Sequence, residues 1–264
     1  MNYNHFFQIF EGIISYRTIG DPQTPAIMLI HGFLGDSRDW EEILPLFPEE
    51  RFYILVELPG HGRSGLDSEG SMPSCAERIH RLLTALKIKT VSIVGYSMGG
   101  RVALQLASLY PEAMSSLALI SSSLGIENEH ERSCRACLDD GLAEAIETKS
   151  WPDFLDRWYR LPLFGTLRHH SVYASLIKRR REDHPGTLAS ALRQLSVGRH
   201  DYFDTVIRTL SSCVYITGEL DKKYVAIGSL IQDLNPKARC YVLSEAGHAV
   251  FLEKPVEVAA YLAL

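Results

Sequence analysis

The chain has 264 residues, 27 of them Lys or Arg and 32 Asp or Glu, for a net charge of −5, and 46% of it is apolar. That is enough for one large α/β domain, or a domain carrying an insertion, and it excludes a disordered, collagen-like or small disulfide-scaffold chain. A mildly acidic balance without long Lys/Arg runs argues against nucleic acid as a partner. No apolar stretch approaches the roughly 18–20 residues of a membrane span, and the opening MNYNHFFQIFEG lacks a secretory layout, so a cytoplasmic setting and no membrane partner are expected.

Short β-branched or aromatic runs recur along the chain: FFQIF (6–10), IISYRTI (13–19), AIMLI (26–30), YILVEL (53–58), VSIVG (91–95), LALIS (117–121), VYITG (214–218) and CYVLS (240–244). The first two, joined by a tight Glu11–Gly12 turn, predict an antiparallel hairpin. The later ones are nearly all apolar, as strands buried on both faces of a parallel sheet are. Helical patterns lie between them: SRDWEEILPLF, SCAERIHRLLTALK, MGGRVALQLASLYP and finally KPVEVAAYLAL. From about Ser122 to Thr209 there is no strand pattern, only helical segments rich in Arg, Trp and Leu. A structureless loop of that length is rare in a compact domain. Residues 122–209 are therefore expected to be a helical lid or cap, inserted into a core made of residues 1–121 and 210–264, over the C-terminal edge of the sheet.

The five cysteines, Cys75, Cys134, Cys137, Cys213 and Cys240, are odd in number and scattered, which suits reduced thiols. Cys134 and Cys137 form a lone C-x-x-C inside ERSCRACLDDGLAEAIE, which reads as helix. Without a second ligand pair they read as a helix face and not as a metal or redox site. His169 and His170 have no metal-binding context and read as surface residues.

The strongest local signal is VSIVGYSMGGRVAL (91–104), a G-x-S-x-G pattern at Gly95, Ser97 and Gly99 between an apolar strand and a helix. A serine on such a sharp turn has its hydroxyl thrust out of the sheet, and the helix behind it aims free N–H groups at developing negative charge. GELDKKY supplies Asp221 just past one apolar strand, and SEAGHAVFLEKP supplies His248 just past the last. Either alone could be structural. The order Ser97, Asp221, His248, each at the C-terminal end of an expected strand, fits a catalytic triad. In LIHGFLGDSRDW, the backbone N–H of Phe33 can turn toward the site, with the Met98 N–H as a second oxyanion-hole donor. ELPGHGRS (57–64) reads at least as well as a turn that helps the sheet pack as it does as a contact with substrate.

From HGF through GYSMGG to AGH the chain resembles the α/β-hydrolases over its whole length. The fold that this implies is a mostly parallel eight-stranded sheet flanked by helices, with a helical cap between strands 6 and 7. Finer features resemble the 2-succinyl-6-hydroxy-2,4-cyclohexadiene-1-carboxylate (SHCHC) synthases of menaquinone biosynthesis. These are HGFLGDSRDW, LPGHGRS, GYSMGGRVAL, DRWYRLPLF, LRQLSVGRHDYF and TGELDKKY. Glu57 stands before LPGHG where an Asp is usual. The resemblance implies elimination of pyruvate from 2-succinyl-5-enolpyruvyl-6-hydroxy-3-cyclohexene-1-carboxylate, a small tricarboxylate, without metal or organic cofactor and with Ser97 as a general base. Carried over by position, the substrate residues fall on Arg101, Arg135, Arg180, Trp158 and Tyr96, with Arg132, Arg179 or Arg181 as neighbouring alternatives.

Arg101 supports an anionic ligand independently of the resemblance. It lies one turn after Ser97, where a cation opposes the helix dipole by roughly 0.3–1 kcal/mol. Holding an anion there, or a salt bridge to a cap carboxylate, would explain it. The Lys178–Arg181 cluster is either a solvated helix face or part of a site for an acidic ligand. A carboxylesterase or carbon–carbon bond hydrolase, with Ser97 as nucleophile, is the alternative enzyme. A non-catalytic binding module on the same fold has no use for an oriented triad. A monomer or small homo-oligomer is expected.

Overall fold

The computed structural model describes residues 8–11 and 13–262. Strand β1 (Gln8–Phe10) pairs antiparallel with β2 (Ile14–Ile19), as the hairpin reading requires. Gly12 of the expected turn, and Phe6 and Phe7 of the first run, lie outside the described residues. Then follow β3 (Ala26–Ile30), β4 (Phe52–Glu57), helix α1 (Met72–Ala85), β5 (Val91–Tyr96), α2 (Met98–Leu109) and β6 (Met114–Ile120). The eight strands form one sheet in the order β1-β2-β4-β3-β5-β6-β7-β8, with β7 at Cys213–Gly218 and β8 at Arg239–Leu243. β2 runs antiparallel to β4, and every later pairing is parallel. Every residue of β3, β4 and β7 is buried, which explains their continuous apolar sequence: helices cover both faces.

Helix α1 shows how local sequence sets an element. Ser71 and Ser74 cap each other's backbone, and Met72, Cys75, Ala76, Ile79, Leu82 and Leu83 form a buried stripe at helical spacing. The run SRDWEEILPLF departs from expectation. It forms only two short 3₁₀ turns, Ser37–Trp40 and Leu44–Leu46. Pro45 has no N–H to continue a helix, and the fully buried Trp40, Ile43 and Leu44 pack equally well from turns.

Between β6 and β7 there is no strand among the described residues. This stretch carries α3 (Glu129–Thr148), α4 (Trp151–Tyr159), α5 (Tyr173–Arg180), α6 (Pro185–Gln194) and α7 (Asp204–Thr209). The end of α7 is tied to the core, because Asn235 Nδ2 donates to the carbonyls of Ile207 and Leu210. After β7 come α8 (Lys222–Leu234), then β8, α9 (Val250–Glu253) and α10 (Pro255–Leu262). No helix among the described residues is long and apolar enough to cross a membrane.

Register brings the functional loops together. Ile30 pairs with Gly95 and Tyr96 with Ile120; Ile120 in turn pairs with Ile216. The C-terminal ends of β3, β5, β6 and β7 therefore open on one edge, the usual ligand edge of an open α/β sheet.

Candidate active site

Ser97 sits between β5 and α2 with φ 51° and ψ −108°, a conformation that costs a non-glycine residue on the order of 1–3 kcal/mol. The surroundings enforce it. A Cβ at Gly95 would lie 2.5 Å from the Cα of Gly100, and one at Gly99 would collide with the Ile30 and His31 carbonyls. Only glycine on both sides lets the elbow pass this close to its own helix and to β3.

His248 Nδ1 donates to Asp221 Oδ2 at 2.6 Å, and Ser97 Oγ lies 3.1 Å from His248 Nε2. Asp221 follows β7 and His248 follows β8, and both are buried. The loop carrying His248 is held from two sides. Its backbone N–H donates to the Leu163 carbonyl at 3.1 Å, and α9 wedges beneath it, with the Phe251 ring 4.7 Å from Tyr96 and 4.8 Å from Trp40. The three residues predicted from separate motifs thus form one hydrogen-bonded relay.

Beside the relay opens a cavity of about 1140 Å³. Phe33, Tyr96, Ser97, Met98, Arg101 and Arg135 line it, as do Trp158, Asp221 and His248. The N–H groups of Phe33 and Met98 donate no hydrogen bond within the described protein, so both are free to serve a ligand. The Trp158 ring packs edge-on to Phe33 at 5.4 Å. Burial raises the Tyr96 hydroxyl pKa well above its usual range, so that hydroxyl stays protonated.

Arg101 is buried and pairs with no carboxylate among the described residues. Its Nη1 donates to the Leu195 carbonyl at 2.8 Å and lies 3.0 Å from His200 Nε2. Burial pulls its pKa down to about 10, and the charge of Arg135 adds to the effect. The salt bridge considered for Arg101 is therefore absent among the described residues. Arg135, by contrast, donates to Asp139 Oδ1 at 2.9 Å, and Ser196 holds the other oxygen of Asp139 at 2.6 Å.

Arg180 does not line this cavity, which corrects the expectation that it meets substrate there. Its Nη2 reaches Asp39 Oδ2 at 2.5 Å, its Nη1 lies 3.6 Å from Asp36 Oδ2, and its Nε donates to the Tyr159 hydroxyl at 3.4 Å. Two buried carboxylates from GDSRDW consume the guanidinium in fastening α5 to the core. Arg179 also reaches Asp39, at 3.3 Å. Arg132 and Arg181 do not line the cavity either.

Lys223 is the cavity cation that sequence reading missed. It lies in the first turn of α8, two residues after Asp221, and no carboxylate forms an ion pair with it among the described residues. Partial burial, with Arg135 and Arg101 nearby, lowers its pKa. Its neighbourhood, two adjacent lysines after Asp221, offered no signal to separate it from Lys222. Tyr224 was missed as well. It lines the cavity, with its ring 4.6 Å from the imidazole of His248.

The structural reading of ELPGHGRS agrees with the packing. Gly60, at φ 76°, is pressed against the Thr187 carbonyl of α6, while Glu57 binds Ser37 Oγ at 2.7 Å and the Arg63 N–H at 2.8 Å. The longer acid at position 57 thus finds a full set of partners. Cys134 and Cys137 are exposed on α3, and no group of three or more His, Cys, Asp or Glu is placed to hold a metal among the described residues.

The chain belongs to the alpha/beta hydrolase fold family, whose pattern matches residues 25–255. Within it, the chain is 30% identical over 249 residues to 2-succinyl-6-hydroxy-2,4-cyclohexadiene-1-carboxylate synthase of Salmonella newport (strain SL254), covering 92% of this chain and 94% of that protein. It is 29% identical over 270 residues to Protein PHYLLO, chloroplastic, of Arabidopsis thaliana, covering 94% of this chain but only 16% of that much longer protein. The solved structure of MenH from S. aureus superposes with a TM-score of 0.88 at 28% identity, covering 94% of this chain and 96% of that one.

Proposed function

We propose that this chain eliminates pyruvate from 2-succinyl-5-enolpyruvyl-6-hydroxy-3-cyclohexene-1-carboxylate to give SHCHC, in menaquinone biosynthesis. The observation that carries this reading is a buried guanidinium, Arg101, lining the same cavity as Ser97 without a carboxylate partner among the described residues. A buried cation left uncompensated is expensive, and a substrate carboxylate relieves that cost. A neutral ester cannot. Lys223 lines the same cavity and supplies a second cation with no ion-paired carboxylate among the described residues, while Arg135, already paired with Asp139, adds further guanidinium hydrogens for a tricarboxylate. The relatives named for SHCHC synthesis support the same choice.

In this reading Asp221 fixes the Nδ1–H tautomer of His248, leaving Nε2 to take the Ser97 proton. The serine oxygen then removes the ring proton next to the succinyl carbonyl. That electron pair forms a new ring double bond, the existing one shifts, and the carbon–oxygen bond to enolpyruvate breaks. Enolpyruvate takes up a proton to become pyruvate. No acyl-enzyme forms. The Phe33 and Met98 N–H groups stabilise the enolate-like oxygen that builds on the succinyl carbonyl. The helices of residues 122–209 act as the lid, with Trp158 and Arg135 as their contribution to the pocket.

The test mixes purified protein with freshly generated enolpyruvyl precursor and follows pyruvate alongside hydrolysis of a neutral chromogenic ester. Rapid pyruvate release with feeble ester cleavage is expected, and Ser97→Ala removes at least about 1000-fold of the elimination rate. Ester cleavage without pyruvate release assigns the chain to the hydrolases, with Ser97 as nucleophile.

A further inference from the structure

The orientation of Arg101 depends on His200, a residue of LRQLSVGRHDYF to which no role has been given so far. Nη1 of a guanidinium carries two hydrogens, and here both are engaged: the Leu195 carbonyl accepts at 2.8 Å and His200 Nε2 lies at 3.0 Å. His200 Nδ1 lies 2.8 Å from the Asp201 carbonyl and donates to it, so Nε2 carries a lone pair and accepts from Arg101. Leu195 and His200 flank a 3₁₀ turn, Val197–Arg199, and Gly198 in that turn is pressed against the Arg132 carbonyl of α3. The two acceptors are therefore held at fixed positions. With Nη1 saturated, Arg101, which lines the cavity, keeps its Nε and Nη2 hydrogens without a partner among the described residues, and these form the edge that grips a carboxylate with two parallel bonds.

We infer that His200 is a positioning residue: a neutral acceptor that aims Arg101 at a substrate carboxylate without cancelling its charge. A carboxylate at position 200 would hold the guanidinium as firmly but would compete with the substrate. A neutral imidazole only orients. His200 is buried and stacked on Phe203, with ring centroids 5.2 Å apart, so its own geometry is fixed. Its neutrality is secured by burial and by the adjacent Arg101 charge, which bring its pKa down to about 3. The inference rests on the proposed elimination, since it supposes that Arg101 binds an anion.

The experiment compares His200→Gln, His200→Asp and His200→Phe with the unaltered protein in the pyruvate-release assay, with thermal unfolding of each. Gln keeps a neutral acceptor, and KM for the enolpyruvyl tricarboxylate is expected to stay within about threefold. Asp and Phe are expected to raise KM about tenfold or more, with kcat changed less than about threefold. A purely structural role would lower the unfolding temperature and the active fraction and leave KM unmoved, which overturns the inference. Should Phe fail to fold, the Gln and Asp pair decides: equal KM values overturn it. If unaltered protein releases pyruvate and every variant keeps its KM, only the role of His200 falls. If unaltered protein releases none, the functional reading falls and takes this inference with it.

Discussion

Lys223 occupies a position on the cavity wall that only the folded chain reveals. In GELDKKY it is one of two adjacent lysines, and nothing local separates them. The first turn of α8 sets Lys223 on the cavity wall beside Arg101 and Arg135, while Lys222 does not line it. Lys223→Gln is expected to raise KM for the tricarboxylate about fivefold to tenfold, as loss of one partly solvated charged hydrogen bond would, with kcat nearly unchanged in steady-state kinetics. An unchanged KM removes Lys223 from the binding frame. The hydrogen-bonded set of Ser97, Asp221 and His248 was readable because each follows an apolar strand, in the chain order that the hydrolase fold uses. Arg180 misled because a cation's role depends on what faces it. The acids that hold it, Asp36 and Asp39, lie 144 and 141 positions earlier, so no spacing along the chain announces the pairing.

At the scale of elements, α5 is fastened to the turn at Ser37–Trp40 by buried charge. Breaking a buried ion pair costs about 3–5 kcal/mol. Asp39→Asn is therefore expected to lower stability by roughly 3 kcal/mol in urea unfolding, while leaving the Ser97 relay in place. Asp183 belongs to the same junction, and its sign is opposite. Burial raises its carboxyl to about 7 against the pull of Arg180, with Asp36 and Asp39 pushing the same way as burial and Arg38 opposing. The folded state then binds a proton that the unfolded state, with an ordinary aspartate, has released. The stabilisation is fully present below about pH 4 and is lost as pH rises toward about 7. Asp183→Asn should flatten that part of the pH–stability curve and raise the unfolding temperature at pH 8. An identical curve would contradict the assignment. The strands and α2 were legible from their apolar runs, whereas SRDWEEILPLF was not, because Pro45 and buried turn packing override its helical periodicity.

Across the whole molecule, the relay and the charges proposed to select a substrate are built from different parts of the structure. The sheet edge supplies Ser97, Asp221, His248 and the free N–H groups of Phe33 and Met98. In the proposed reading, selection comes from Arg101 on α2, Lys223 on α8, and Arg135 and Trp158 from the helices between β6 and β7. Arg101 alone shares a helix with the serine elbow, so it is the strictest test of whether the two tasks separate. If Arg101 only grips a carboxylate, Arg101→Ala should cut kcat/KM for elimination about 10- to 150-fold, the equivalent of about 1.5–3 kcal/mol. Labelling of Ser97 by a neutral serine-directed phosphonate should then proceed at close to its original rate, because the hydrogen bonds among Ser97, His248 and Asp221 do not pass through the guanidinium. If both rates fall together, Arg101 instead supports the elbow, and the case for a charged substrate loses the residue on which it rests.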